Sequence, residues 1–142
     1  MAANSLHEGT TELSYSRPYP GSVDAALERL TSELKQRGFG VLATLRVHEI
    51  LEKSIPERID PLVILDVCSP RHAHHALTVS RDASLLLPCK IVVAKEGART
   101  LIALQRPTTA LKALLPLPSL TGLGREVEGL LRAAIDATTA QA

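Results

Sequence analysis

The sequence predicts an α+β fold: a mostly antiparallel sheet of four to five strands with helices packed on one face. Three observations lead there. Apolar runs and breaks order the elements as strand, helix, strand, short helix, strand, helix, strand, strand, helix, and the last two strands read as a hairpin, which favours antiparallel pairing. The helical segments at 22–37 and 123–137 each carry a single apolar stripe, so each has one surface to bury. No Gly-x-Gly-x-x-Gly follows any strand, which disfavours a dinucleotide-binding fold.

The elements follow in order. Thr10 to Ser16 alternates loosely and reads as a first strand, closed by Arg17-Pro18-Tyr19-Pro20-Gly21. Ser22 is an N-cap for a helix whose Val23, Ala26, Leu27, Leu30 and Leu34 share one face, with Asp24 at the positive end of the dipole. Gly38 ends that helix, and Phe39 is placed to fold back on Leu34 as in a Schellman cap. Residues 40–47 form a strand with Val41, Ala43, Leu45 and Val47 on one side, and 48–54 suit a short helix limited by Pro56. Leu62 to Val67 is apolar on both faces except at Asp66 and reads as a central strand. Ser69 and Pro70 then open a short helix, as N-cap and first helical residue. Strands at 89–95 and 99–104 flank the turn Glu96-Gly97-Ala98. The three prolines in 105–122 predict mostly irregular chain, with one helical turn near Ala110 to Leu114. The expected domain is 10–137, with flexible tails at 1–9 and 138–142.

Composition narrows the function classes. A chain of 142 residues can bury a real core, and with 45% hydrophobic residues but only Tyr15, Tyr19 and Phe39 aromatic, that core is aliphatic. A base-stacking platform and a phosphate-tracking surface are both disfavoured, because aromatics are scarce and the net charge is only +1 without a basic cluster. The expectation is no nucleic-acid partner. No apolar stretch reaches the roughly 18 residues of a membrane span, and Met1 to Thr10 lacks the basic start and apolar run of a secretory signal. The expected location is cytoplasmic, where Cys68 and Cys89 are thiols.

Three ordered motifs carry a family resemblance: Gly38-Phe39-Gly40-Val41, then Cys68-Ser69-Pro70-Arg71-His72-Ala73-His74-His75-Ala76-Leu77, then Leu85-Leu86-Leu87-Pro88-Cys89. Together the chain resembles the bacterial family called domain of unknown function 302 across roughly residues 12 to 135. The resemblance implies a TATA-binding-protein-like α+β sandwich and a homodimer, and it implies no established activity. Ser69 stands where the family usually has Asn, and Asp66 where it usually has a small residue. Gln105-Arg106-Pro107 stands near a usual Asp-Pro.

The Cys68–Cys89 region holds the candidate site. Cys68 precedes a helix start, where the dipole and Arg71 favour the thiolate, so it is expected to titrate below a free cysteine. Cys89 opens an apolar strand and is expected to titrate higher. Ligand-binding candidates are Cys68, Ser69, Arg71, His72 and Cys89, and metal candidates are Cys68, His72, His75 and Cys89. Two thiolates with imidazole suit zinc or copper. His74 points elsewhere, and His7 and His48 carry no pattern. Asp66 is a candidate polar floor for the Cys68 pocket. The structural alternative is that the cysteines simply pack, the histidines are solvated and Asp66 is an ordinary hydrogen-bonded carboxylate. The expected function is a small-ligand or metal-ion binding module with a Cys/His pocket. The alternatives are a thiol enzyme with Cys68 as nucleophile, or a dimeric interaction module without chemistry.

Overall fold

The computed structural model describes residues 4–140. They contain β1 (Gly9–Thr10), β2 (Ser14–Tyr19), α1 (Val23–Gln36), β3 (Gly40–Arg46), α2 (Val47–Ser54), β4 (Leu62–Cys68), α3 (Pro70–Val79), a 3-10 turn (Arg81–Leu86), β5 (Cys89–Glu96), β6 (Arg99–Gln105), α4 (Pro107–Leu114) and α5 (Pro118–Ala140). The strands form one antiparallel sheet in the order β1-β2-β6-β5-β4-β3. The α+β class is as expected; the strand count is six and not four to five.

The core lies where α1 and α5 meet the sheet. Val63, Leu65 and Val67 of β4 alternate onto one face with Ile91 and Val93 of β5 and Ile102 and Leu104 of β6. Against them pack Ala26, Leu30 and Leu34 of α1 and Leu131, Ala134 and Ile135 of α5. Both helices bury the stripe that their 3.6-residue spacing announced. The ends of α1 also follow local rules. Ser22 Oγ accepts from Ala25 N–H at 3.0 Å. Gly38 has φ +84°, and Phe39 N–H reaches Leu34 O at 2.9 Å, so Phe39 folds back into the core.

Several elements differ from expectation. The strand expected at Thr10 to Ser16 is split into β1 and β2, and β2 runs through Arg17 and Pro18, which were expected to break it. Pro18 is tolerated because β1 pairs β2 only as far as Ser16, so that stretch of β2 is an edge. In β3 a register shift between Val41 and Ala43 breaks the predicted alternation. Val41 and Thr44 therefore oppose Val67 and Leu65, while Leu45 shares the other face and is 40% exposed. The helical turn expected near Ala110 to Leu114 is part of α4, and residues 107–109 and 118–122 are helical where irregular chain was expected, because Pro107 and Pro118 each open a helix. The regular structure reaches into the segments expected to be tails. Gly9 begins β1 and α5 continues to Ala140; residues 1–3 and 141–142 lie outside the described residues.

A buried carboxylate fixes the α4–α5 corner that closes over the site. Glu128 is 5% exposed. It accepts from Thr108 N–H at 3.1 Å, Arg106 Nε at 2.9 Å and Arg132 at 2.8 Å. Burial pushes its carboxyl up, but the bonds from Thr108 and Arg106 outweigh that and hold it below the ordinary range.

Candidate functional site

The sheet end formed by Cys68 and Cys89 opens into a cavity between α3, α4 and α5. Val67 of β4 lies directly opposite Cys89 of β5, so Cys68 and Cys89 end neighbouring strands. Ser69 then caps α3 through its side chain, and Pro70 takes the first helical position, as the sequence predicts. Ala76 of α3, Ala83 and Leu120 form a small second core beyond this point, with Leu111 and Leu123 packed on it. The space left between the two cores is the cavity, about 70 Å³. Its walls are alkyl groups and Phe39, apart from polar atoms on Cys68, Ser69, His72 and Cys89.

The electrostatics of the two thiols correct one expectation. Burial pushes the Cys68 thiol up, so the expected depression by the helix start is not what the local environment produces. Cys89 is pushed further, to about 11, by burial first and then by the nearby Cys68 charge. Cys89 therefore titrates above Cys68 in the expected order, but both are neutral thiols at neutral pH. Both are free.

His72 is held on three sides. Its Nδ1 lies 2.7 Å from Ser69 Oγ. Its Nε2 lies 2.5 Å from Glu126 Oε2 on α5. Its ring stacks on Phe39, with centroids 6.0 Å apart and planes 11° off parallel. Glu126 is 54 residues away in the chain, so no local spacing announced this pair.

Four expected site residues, Cys68, Ser69, His72 and Cys89, line the same cavity. Arg71 and His75 do not; both are exposed on α3, as is His74. Asp66 is not the floor of this cavity. It alternates away on β4, pairs with Lys90 across the strands at 3.6 Å, and lines a neighbouring cleft that shares Cys89 as a wall. His48, which carried no pattern, is structural. Its Nδ1 is 3.1 Å from Leu62 N and 3.2 Å from Leu62 O, tying α2 to the start of β4.

The residues present do not fit a zinc or copper site. Both His72 nitrogens are engaged and His75 faces solvent. Among the described residues no group of three or more His, Cys, Asp and Glu is placed to hold a metal ion. Among the same residues no helix is long and apolar enough to cross a membrane.

Sequence reasoning missed Glu126 and the contributions of α4 and α5 to the walls. The available signal was proline at a helix start. Reading Pro118 as Pro70 was read would have extended the predicted 123–137 helix back through Leu120.

No curated protein matches the chain in sequence. Among solved structures, it is similar to the crystal structure of an uncharacterized conserved protein DUF302 from Bacillus stearothermophilus. The two share 33% identity and a TM-score of 0.83, covering 87% of this chain and 96% of that one. The family described as Domain of unknown function DUF302 matches residues 9–138, a span that holds all six strands and every cavity residue, and the chain belongs to that family.

Proposed function

We propose that the chain is a small-ligand binding protein whose ligand is compact, neutral and apolar with one polar end. The cavity carries this reading: its walls are alkyl except for Cys68, Ser69, His72 and Cys89. A pocket of this kind gains affinity from apolar burial and orientation from a few polar groups. The absence of Lys and Arg from the described walls disfavours an anionic ligand. Neutral thiols give less support to Cys68 as a nucleophile.

The test is thermal and denaturant stability against concentration of a compact ketone, 2-hexanone. A ligand that binds only the folded state stabilises it by about 2.7 kcal/mol at a hundredfold excess over Kd. Ala76→Leu, which places a larger side chain in the cavity wall, is expected to abolish that gain. Stabilisation that is equal in both proteins would count against the cavity as the site.

A second reading, association of two copies, is supported by Leu42 and Leu45 on the edge strand β3 and Ile50 on α2, which are 65%, 40% and 49% exposed. Sedimentation equilibrium tests it. A monomer at all concentrations would remove this reading.

A further inference from the structure

We propose that the cavity is also a reaction site: it hydrolyses short, neutral alkyl esters, with Ser69 as nucleophile, His72 as its base and Glu126 as a positioning carboxylate. The inference rests on the cavity being a ligand site.

The bond order around His72 carries it. A carboxylate only accepts, so in neutral imidazole Glu126 requires the proton on Nε2. Nδ1 then bears the lone pair, and at 2.7 Å it accepts from the Ser69 hydroxyl. Nucleophile, base and orienting carboxylate are connected as in a Ser-His-acid relay, with the two ring nitrogens exchanged. Phe39 fixes the ring plane and Glu126 its rotation. Ser69 is 6% exposed and lines the cavity, whereas the Glu126 side chain is 63% exposed and outside it. The hydroxyl therefore faces the ligand space while the carboxylate acts from the solvent side.

The first turn of α3 frames the hydroxyl. In the first turn of α3, Pro70 has no N–H, His72 N–H points to Ser69 Oγ at 3.5 Å, and Ala73 N–H bonds Ser69 O at 2.9 Å. The apolar walls select the substrate class, a short alkyl acyl group without charge.

The chemistry balances with water as the only co-reactant. Ser69 Oγ bonds to the ester carbonyl carbon as its proton passes to His72 Nδ1. The ester C–O bond breaks and the alcohol leaves with that proton. Water then attacks the acyl group, gives a proton to Nδ1, and the acid leaves as the Ser69 hydroxyl is restored. Ester and water become acid and alcohol.

The experiment follows p-nitrophenyl butyrate turnover by the full chain, with peptide mapping of the quenched protein and 2-hexanone binding measured in parallel. The expected result is nitrophenolate release and a butyryl adduct on Ser69. Ser69→Asn keeps a good helix cap without a hydroxyl and is expected to abolish turnover. His72→Gln is expected to lower kcat about a hundredfold or more. Glu126→Gln is expected to lower kcat roughly tenfold with KM and the urea midpoint both unchanged, which loss of fold would not leave. Unchanged turnover in Ser69→Asn, or an adduct on Cys68 or Cys89, overturns the proposal. Binding of 2-hexanone without ester turnover overturns the relay and leaves the ligand site standing. Loss of both removes both.

Discussion

Cys89 ties the site to the stability of the fold through pH. Its thiol is pushed to about 11 from an ordinary 9.0, because it is buried and beside Cys68. Two pH units correspond to about 2.7 kcal/mol of preference for the neutral form in the folded state. The sign follows from proton counts. Below the unfolded value both states hold the proton, and the contribution is fully present. Above it the unfolded thiol ionises first, so stability falls as pH rises and the contribution is lost at the folded value. Cys68 and Tyr15 are also raised and push the wild-type curve the same way. Comparison with Cys89→Ala isolates the one group. The substitution costs packing at every pH, but the gap between the two proteins should narrow by about 2 kcal/mol between roughly pH 7.5 and 10.5. Urea unfolding followed by circular dichroism under reducing conditions measures it. A gap that stays constant across this range would refute burial as the cause of the raised thiol.

Other perturbations test the frame around the cavity. Leu30→Ala removes a side chain with 0% exposure from the α1 face and should cost about 2–5 kcal/mol in the denaturant midpoint; an unchanged midpoint would place that face outside the core. Glu128→Gln leaves two guanidinium groups facing an amide and should cost roughly 3 kcal/mol. Because the Glu128 carboxyl is depressed, its contribution is present at neutral pH and lost as pH falls, so Glu128→Gln should also flatten the acid limb of the stability curve. Gly124→Ala would bring a Cβ to 2.7 Å from Leu111 Cδ1. The flexible end of Leu111 must then move, and the stabilisation by 2-hexanone should shrink; an unaltered gain would show that this wall does not bound the ligand.

The parts of the fold that local chemistry decides were legible from residues alone. Ser22, the Gly38-Phe39 cap, the Ser69-Pro70 helix start and the Gly97 turn each satisfy a need of the adjacent backbone. Proline was ambiguous because the same ring both ends helices and begins them, and Pro107 and Pro118 do the second. The register shift at Leu42 left no mark, since a single extra residue in an apolar strand does not alter composition. At the site, Cys68, Ser69, His72 and Cys89 were found because they sit at strand ends and a helix start. Glu126 was not, because only the packing of α5 on α3 brings it to His72. The titration of Cys68 was misjudged for a related reason. A helix end can be read locally, but burial comes from elements far away in sequence.

Whether the cavity receives a ligand is settled by titrating isotope-labelled protein with 2-hexanone and following backbone amide resonances. The residues to watch are Phe39, Ser69, His72, Ala76 and Gly124, which line it on α3 and its cap, on α5 and at the Phe39 turn. Saturable shifts should be confined to these amides and their neighbours, and Ala76→Leu should remove them. Shifts spread over the exposed side chains of β3 and α2, or cavity amides that stay unmoved at saturating ketone, would contradict a ligand site between the Cys68–Cys89 sheet end and the helices.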